Sequence, residues 1–133
     1  MIELFTDGIQ LYFSTLRGEI MLQISLFIES DSEQEVSAII NEVLSELAEL
    51  VSTYQVSSCE KYWKIETWYK AVIDVTTVNP ITLDSANYML KRLCNVWIWD
   101  NNKSSAHTND RNDDVIYVHP KIRFINCWFG DLE

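Results

Sequence analysis

The sequence predicts an α+β fold, a mainly antiparallel β-sheet of about six to seven strands with two helices packed on it. Alternation of apolar and polar residues predicts the strands, and apolar residues at helical spacing predict the helices. The chain has 133 residues, of which 47% are hydrophobic and 12% aromatic, so it can bury one sizeable core. This composition excludes a disordered chain, and we expect a single domain over residues 1–133.

The amino-terminal third of the chain is predicted to begin with strands. Residues Glu3–Phe13 should form a hairpin, because Asp7-Gly8 suits a two-residue turn whose central residues need positive φ. A second turn is expected at Arg17-Gly18. The clearest strand is Ile20–Ile28, where every second residue is an isoleucine or leucine, so that one face is wholly apolar.

A long helix is predicted after this strand. Residues 32–35 form the pattern of a capping box, with the Ser32 hydroxyl at the cap and the Glu35 carboxylate three residues later. The helical period then continues for about 22 residues. The apolar positions are Val36, Ile39, Ile40, Val43, Leu44, Leu47, Leu50, Val51 and Tyr54.

The segment Lys61–Thr77 fits two patterns. Its odd positions, including Trp63, Ile65 and Tyr69, suggest the buried face of a strand, while a helical period through the same stretch also matches. Aromatic and β-branched residues dominate, which favours the strand. Whether this segment is strand or helix stays open at this point.

The second half of the chain should hold one helix and three strands. The helix is expected from Thr82 to Cys94, with Thr82 as its cap and basic residues in its last turn. Residues 96–100 should form a short strand and residues 100–114 a polar loop of a length that is usually functional or disordered. Residues 115–119 and 122–129 are expected to close the chain as strands.

The sequence favours a reduced, cytoplasmic protein. Its start has no basic segment followed by a long apolar run, so we expect no signal peptide, and no stretch is long enough to span a bilayer. Cys59, Cys94 and Cys127 are odd in number and far apart, which gives neither a CxxC pair nor a disulfide framework. We expect all three to be reduced and buried.

The net charge of −10 is confined to the first 60 residues. That part holds 11 acidic residues and one base, Arg17, whereas residues 61–133 hold 9 acidic and 9 basic residues. An acidic chain is a poor binder of nucleic acid or of an anionic membrane, because phosphates are bound by Lys and Arg. We therefore expect neither as a partner.

Four glutamates of the first predicted helix form what we call the acidic stripe. At 100° per residue, Glu35, Glu42, Glu46 and Glu49 fall within an arc of about 60°. The helix carries no Lys or Arg, and Glu42 and Glu46 form a like-charge i,i+4 pair that is mildly unfavourable. Either bases of the second half such as Lys61, Lys64 or Lys70 neutralise the stripe, or a basic macromolecule docks on it.

Two further features are candidate contacts for a partner. Trp68 falls on the polar-patterned face of its predicted strand, and tryptophan is enriched at interaction hot spots, as it is in cores. Trp97 and Trp99 are alternative anchors. The polar loop adds Asp110, Asp113 and Asp114 to the candidate partner-binding residues.

No catalytic, cofactor or metal motif is present in the sequence. The loop residues Asp110, Asn112 and Asp114 resemble the start of a calcium loop, but Val115 and Lys121 occupy the positions that need glycine and a bidentate glutamate. The three glycines are isolated, which excludes a phosphate-binding loop. We predict no catalytic residue, no metal and no cofactor, so that the chain is not expected to be an enzyme.

Taken together, the acidic first half, the acidic stripe and the acidic loop 100–114 resemble the immunity proteins of bacterial contact-dependent growth inhibition systems. That resemblance covers the character of the whole chain and no single motif. It implies a small cytoplasmic protein that binds and neutralises a cognate toxin domain, one of basic, nuclease type. Two alternatives are an acidic DNA-mimic inhibitor of a nucleic-acid-binding protein and a small hydrolase that uses His107 or His119.

Overall fold

The computed structural model describes residues 21–109, 111, 114–130 and 132. This part of the chain forms one antiparallel sheet with the strand order β2-β3-β1-β6-β5-β4 and two helices, which confirms the predicted α+β class. The elements in chain order are β1 (Leu22–Glu29), α1 (Glu33–Ser45), β2 (Val51–Lys61), β3 (Trp68–Thr77), α2 (Leu83–Leu93), β4 (Trp97–Trp99), β5 (Ser105–Thr108) and β6 (Ile122–Phe129).

The core lies between the two helices and one face of the sheet. The predicted alternation of β1 is confirmed, since its even-numbered residues are buried and its odd-numbered residues are half-buried. Buried residues of α1 and α2 join those of β1, β3 and β6 in a single cluster, so both helices cover the same face. The opposite face, which we call the open face, carries the large side chains of Phe27, Trp68, Lys70, Phe124 and Trp128.

The predicted hairpin Glu3–Phe13 and the turn at Arg17-Gly18 lie outside the described residues. So does Ile20, at which the strand was predicted to start.

The first helix begins as predicted but ends early. Ser32 is its N-cap, and the Ser32 hydroxyl accepts from the backbone N–H of Glu35 at 3.3 Å. The reciprocal half of the capping box is missing, because the Glu35 carboxylate binds the Ser30 hydroxyl, and that hydroxyl accepts from the Ser32 N–H instead. α1 ends at Ser45, and a turn follows to Leu50.

The prediction that the helix continues to Tyr54 is wrong. Residues from Val51 onward form β2, which pairs with β3 over its whole length. This stretch contains Val51, Thr53, Tyr54 and Val56, β-branched and aromatic residues that favour strands over helices when a pairing partner is present. The apolar spacing of Leu47, Leu50, Val51 and Tyr54 is compatible with both structures, and the long-range pairing with β3 decides between them.

The strand interpretation of Lys61–Thr77 is confirmed for residues 68–77. Tyr69, Ala71, Ile73 and Val75 are buried and alternate with half-buried residues. Residues 62–67 form the turn between β2 and β3, so Trp63 and Ile65 are exposed, contrary to their predicted place on a buried face. Helix α2 is confirmed, with Thr82 and Ser85 forming a complete capping box.

The loop predicted over residues 100–114 is wrong in part, because it contains β5. Ala106 and Thr108 are buried there, and β5 joins β4 to β6. The strand expected at residues 115–119 is reduced to a single bridge between Tyr117 and Cys94. The short strand β4 and the long strand β6 are confirmed.

The cysteines are free, as expected, but not all are buried. Cys94 and Cys127 are buried, whereas Cys59 on β2 is half-buried, because β2 lies at the edge of the sheet. Burial raises the pKa of each of the three thiols above its ordinary value. Among the described residues, no helix is long and apolar enough to cross a membrane.

Candidate functional site

Two members of the acidic stripe form ion pairs with cations of the same chain, and a third faces a histidine. Glu35 lies 3.1 Å from Lys121, Glu46 lies 3.2 Å from Arg92 on α2, and Glu42 lies 4.0 Å from His119. Within the described part of the chain, Glu49 has no ion pair within 4 Å. Neutralisation by the second half, one of the two alternatives, therefore occurs for Glu35 and Glu46, but not through Lys61, Lys64 or Lys70. Three of the four glutamates therefore contact side chains of the second half of the chain.

Alternate residues of the segment 119–123 contact acidic side chains on α1 and at the end of β1. His119 and Lys121 contact α1, and Arg123 binds Glu29 at the end of β1 with N–O distances of 2.7 and 2.8 Å. Arg123 is the extra residue where the β1–β6 register shifts, so it forms a β-bulge. A third Arg123 nitrogen donates to the carbonyl of Pro120 at 3.0 Å.

Trp68 belongs to an aromatic cluster on the open face, formed with Phe27, Tyr62 and Phe124. Its ring stacks on Tyr62 at 6.3 Å and meets Phe27 edge-on at 6.4 Å. Phe27 in turn lies 5.0 Å from Tyr62 and 5.6 Å from Phe124. These rings pack against each other on a face that neither helix covers, so they form an apolar, partly accessible patch.

A cavity of about 590 Å³ opens beside Trp68. It lies between the start of β3, the start of β6 and the connection that precedes β6. Ile116 in its wall is 70% exposed, whereas Ile122 at its base is buried. The residues that line it are Trp68, Val115, Ile116, Tyr117, Pro120, Ile122 and Arg123. This lining suits an apolar side chain of a partner, and its one cation, Arg123, is already bound to Glu29.

Part of the predicted partner-binding set meets at one end of the sheet. Trp68 pairs with Glu29 in the β3–β1 register, Glu29 binds Arg123, and Lys121 two residues earlier binds Glu35. Trp68 and Glu35 therefore lie at the same end, one on each side of the sheet.

The remaining predicted contacts do not join this group. Glu46 lies farther along α1 against α2, and Glu49 lies in the turn that follows α1. Asp114 is exposed and its carbonyl accepts from Asn95. Asp110 and Asp113 lie outside the described residues.

The alternative anchors Trp97 and Trp99 are engaged with the helical layer. The indole N–H of Trp97 points at the carbonyls of Leu90 and Cys94, at 2.7 and 2.8 Å. The indole N–H of Trp99 donates to the Asn87 side chain, and its ring stacks on Phe129. Both tryptophans are half-buried packing residues, which leaves Trp68 as the candidate anchor.

Sequence analysis missed most of the aromatic cluster and the cavity. Phe27 and Phe124 become neighbours only through the pairing of β1 with β6. One signal was present in the sequence, because Phe27 stands at a position of β1 where polar residues otherwise alternate with the apolar face. A large aromatic on the polar face of a half-buried strand indicates a second apolar surface.

The Glu35 site should make stability depend on pH. The pKa of Glu35 lies below its ordinary value because the Ser30 hydroxyl and then Lys121 donate to the carboxylate. A lowered pKa in the folded state means that this stabilisation is complete above the unfolded pKa and is lost as pH falls through the folded one. We expect Glu35→Gln to reduce the loss of unfolding free energy between about pH 6 and about pH 3.

Urea denaturation across this pH range measures the effect. Ser30→Ala should reduce the pH dependence more than Lys121→Met, since Ser30 makes the shorter hydrogen bond, at 2.6 Å against 3.1 Å. In the Glu35→Gln background, neither Ser30→Ala nor Lys121→Met should further change the slope of the unfolding free energy against pH. Equal slopes in wild type and Glu35→Gln would contradict the assignment.

Among the described residues, no group of three or more His, Cys, Asp and Glu side chains could hold a metal ion. His107 lies 6.0 Å from Phe124 on the open face, and the Nδ1 of His119 accepts from the backbone of Lys121. Neither histidine lines the cavity beside Trp68. Comparison of the chain with protein-family models, with curated proteins and with solved structures gave no match.

Proposed function

We propose that this protein is an immunity protein that binds a basic toxin domain of nuclease type and neutralises it by occupying its surface. The observation that carries the proposal is the aromatic cluster with its adjoining cavity on the open face. An accessible apolar patch with a tryptophan beside a pocket is typical of protein–protein interfaces. In this proposal the patch anchors the toxin.

The net charge of −10 has a different role from the patch. A surplus of negative charge raises the rate at which a basic protein is captured, and it acts over the whole surface. The ion pairs of Glu35 and Glu46 within the chain make the acidic stripe a poor docking surface. Steering therefore comes from the overall charge, and the lasting part of the affinity comes from apolar burial.

The chemistry of a nuclease supports these separate roles of the overall charge and the apolar patch. A nuclease binds phosphates, so the surroundings of its active site carry Lys and Arg. An acidic protein that docks nearby excludes the nucleic acid by charge and by volume without needing a catalytic group of its own. A stoichiometric inhibitor of this kind needs neither a cofactor nor a metal.

The two alternatives receive no support from particular residues. A DNA mimic needs rows of carboxylates that are free to stand in for phosphates, and two of the four glutamates of the stripe are ion-paired within the chain. A hydrolase needs one of the histidines in a pocket with an acid or a nucleophile. The cavity beside Trp68 lacks such a combination.

The exposed tryptophans allow a matched test. Trp63, 83% exposed, follows Tyr62 of the aromatic cluster, whereas Trp128, 43% exposed, lies at the opposite end of the open face beside Gln23. The test measures binding of the purified chain to the carboxy-terminal domain of a large exported protein encoded directly upstream. We expect Trp63→Ala to weaken binding about tenfold, as the loss of an exposed interface aromatic does.

Trp128→Ala is the control and should change the affinity less than about threefold. Co-expression of the wild-type chain should also protect cells from the toxin domain. If the chain neither binds the upstream domain nor protects cells from it, the proposal is wrong. Equal losses of affinity in Trp63→Ala and Trp128→Ala would contradict an interface centred on the Trp68 end of the open face.

A further inference from the structure

Among the described residues, the edge strand β2 has no pairing partner on its outer side. It is 11 residues long, the longest strand in that part of the chain, and its described partner is β3 alone. Six consecutive residues, 52–57, are exposed. A strand in this position presents unpaired N–H and C=O groups that can bind another strand.

The side chains of β2 lack the usual protection of an edge. Residues 51–59 contain neither a charged residue nor proline, and Tyr54 and Val56 are 51% and 39% exposed. Both residues lie on the side of the sheet where the helices pack, in register with buried Val75 and Ile73, but beyond the cover of the helices. An added strand would extend this apolar surface and bury both side chains.

The ends of β2 carry acidic groups. Glu60 lies on the strand, Glu33 on α1 lies close enough to Cys59 to act on the Cys59 thiolate, and Glu49 precedes the strand. Within the described residues none of these three has an ion pair within 4 Å. Of the nearby lysines, Lys61 lies over the Tyr69 ring, and Lys70, opposite Glu60 in the β2–β3 register, lies over the Phe27 ring. A strand bearing Lys or Arg at its ends complements this arrangement.

We infer that β2 is extended by a strand of the basic toxin domain, so that the partner's strand continues the sheet through backbone hydrogen bonds. This inference rests on the proposed function and adds its mode of binding. The pairing is continuous with the aromatic cluster, since Tyr62 directly follows β2 and its N–H donates to the Trp68 carbonyl. One partner can therefore contact the edge and the cluster together.

A second copy of this chain fits the edge less well. Two β2 strands related by a two-fold axis run antiparallel, which brings the Glu60 end of each beside the Glu49 end of the other. Such a pairing places like charges together twice and joins two chains of charge −10. A strand with basic ends avoids both the like-charge contacts and the repulsion between two acidic chains.

The edge can be tested with a probe of defined chemistry. The probe is a synthetic peptide of alternating threonine and valine with a lysine at each end, added to the full-length, isotope-labelled chain. We expect amide resonances of residues 51–61 to shift, with a dissociation constant of about 1 mM or lower. A peptide methylated on the backbone nitrogens of one edge and a peptide with terminal glutamates are the controls, and both should bind at least about fivefold more weakly.

A charge reversal provides the complementary experiment. In the Glu33→Lys/Glu60→Lys variant, the lysine peptide should bind about fivefold more weakly and the glutamate peptide more tightly than to wild type. Shifts located at Trp68 and Phe124, equal binding of the methylated peptide, or no shift at about 5 mM peptide would overturn the inference. A dimer formed through β2 in sedimentation would also overturn it. None of these results bears on whether Trp63 is needed for toxin binding, so the two proposals fail separately.

Discussion

Trp68→Ala should weaken binding of the proposed toxin domain by about 100-fold or more, the largest effect expected of a single substitution on the open face. Trp68 is the one residue that belongs both to the aromatic cluster and to the wall of the cavity. Its removal takes away the stacking partner of Tyr62 and one wall of the cavity. Calorimetry or surface binding with the purified domain measures the loss.

Three controls separate binding from folding. Trp68→Phe keeps an aromatic ring in the cluster and should retain most of the affinity. Trp99→Ala removes a half-buried tryptophan on the helical side, so it should lower the stability and leave the affinity of the folded protein unchanged. Ile98→Ala, on exposed edge strand β4, should change neither quantity. If Trp68→Ala binds like wild type, the cluster is not the anchor.

Elements with a strong local period could be predicted from the sequence. β1 alternates without interruption, and α2 has both a cap and basic residues in its last turn. In such segments the local pattern and the tertiary contacts favour the same structure. The placement of both helices on one face also followed, because β1 has one wholly apolar face.

The end of α1 could not be predicted, because it depends on a distant pairing. No Gly or Pro marks the end of the helix at Ser45, and the apolar positions continue into β2 at a spacing that also suits a helix. The strand forms because β3 supplies partners for nine of its eleven residues. β5 was missed for a similar reason, since its short polar sequence becomes a strand between β4 and β6.

The geometry of the acidic stripe followed from the sequence only in part, because Glu46 and Glu49 lie beyond the end of α1, and its partners did not follow. Helical spacing correctly placed Glu35 and Glu42 on one side of α1, and it could not reveal that residues 119 and 121 return to that side. The absence of bases on the helix itself therefore had a structural reason. A net charge divided between two halves of a chain indicates contact between the halves as readily as contact with a partner.

The sequence held only part of the reason why Trp68 is a candidate anchor. Its position on the polar side of β3 was visible in the pattern, and so it was expected to avoid the core. Its neighbours Phe27, Phe124 and Ile122 come from two other strands, and the β-bulge at Arg123 shapes the cavity between them. Such non-local arrangements have no signature in a single sequence.

Ile24→Ala should lower the free energy of unfolding by about 2–5 kcal/mol, while Tyr54→Ala should change it by less than about 1 kcal/mol. Ile24 is fully buried in the central strand between Ile73 and Cys127. Its truncation removes apolar burial and leaves a cavity that the flanking strands cannot close. Tyr54 was predicted to lie on the buried face of a long helix, and the structure instead places it 51% exposed on the edge strand β2.

Urea denaturation of Ile24→Ala and Tyr54→Ala distinguishes a Tyr54 buried on a helix from a Tyr54 exposed on the edge strand β2. On the buried face of a helix, Tyr54→Ala would cost about 3–5 kcal/mol, comparable to a large core truncation. Ile24→Val, which removes one methylene-sized group, should cost about 0.5–1.5 kcal/mol and shows that the loss at Ile24 scales with buried volume. A large loss at Tyr54 together with a small loss at Ile24 would contradict the sheet order, because β1 would then not be central and β2 not an edge.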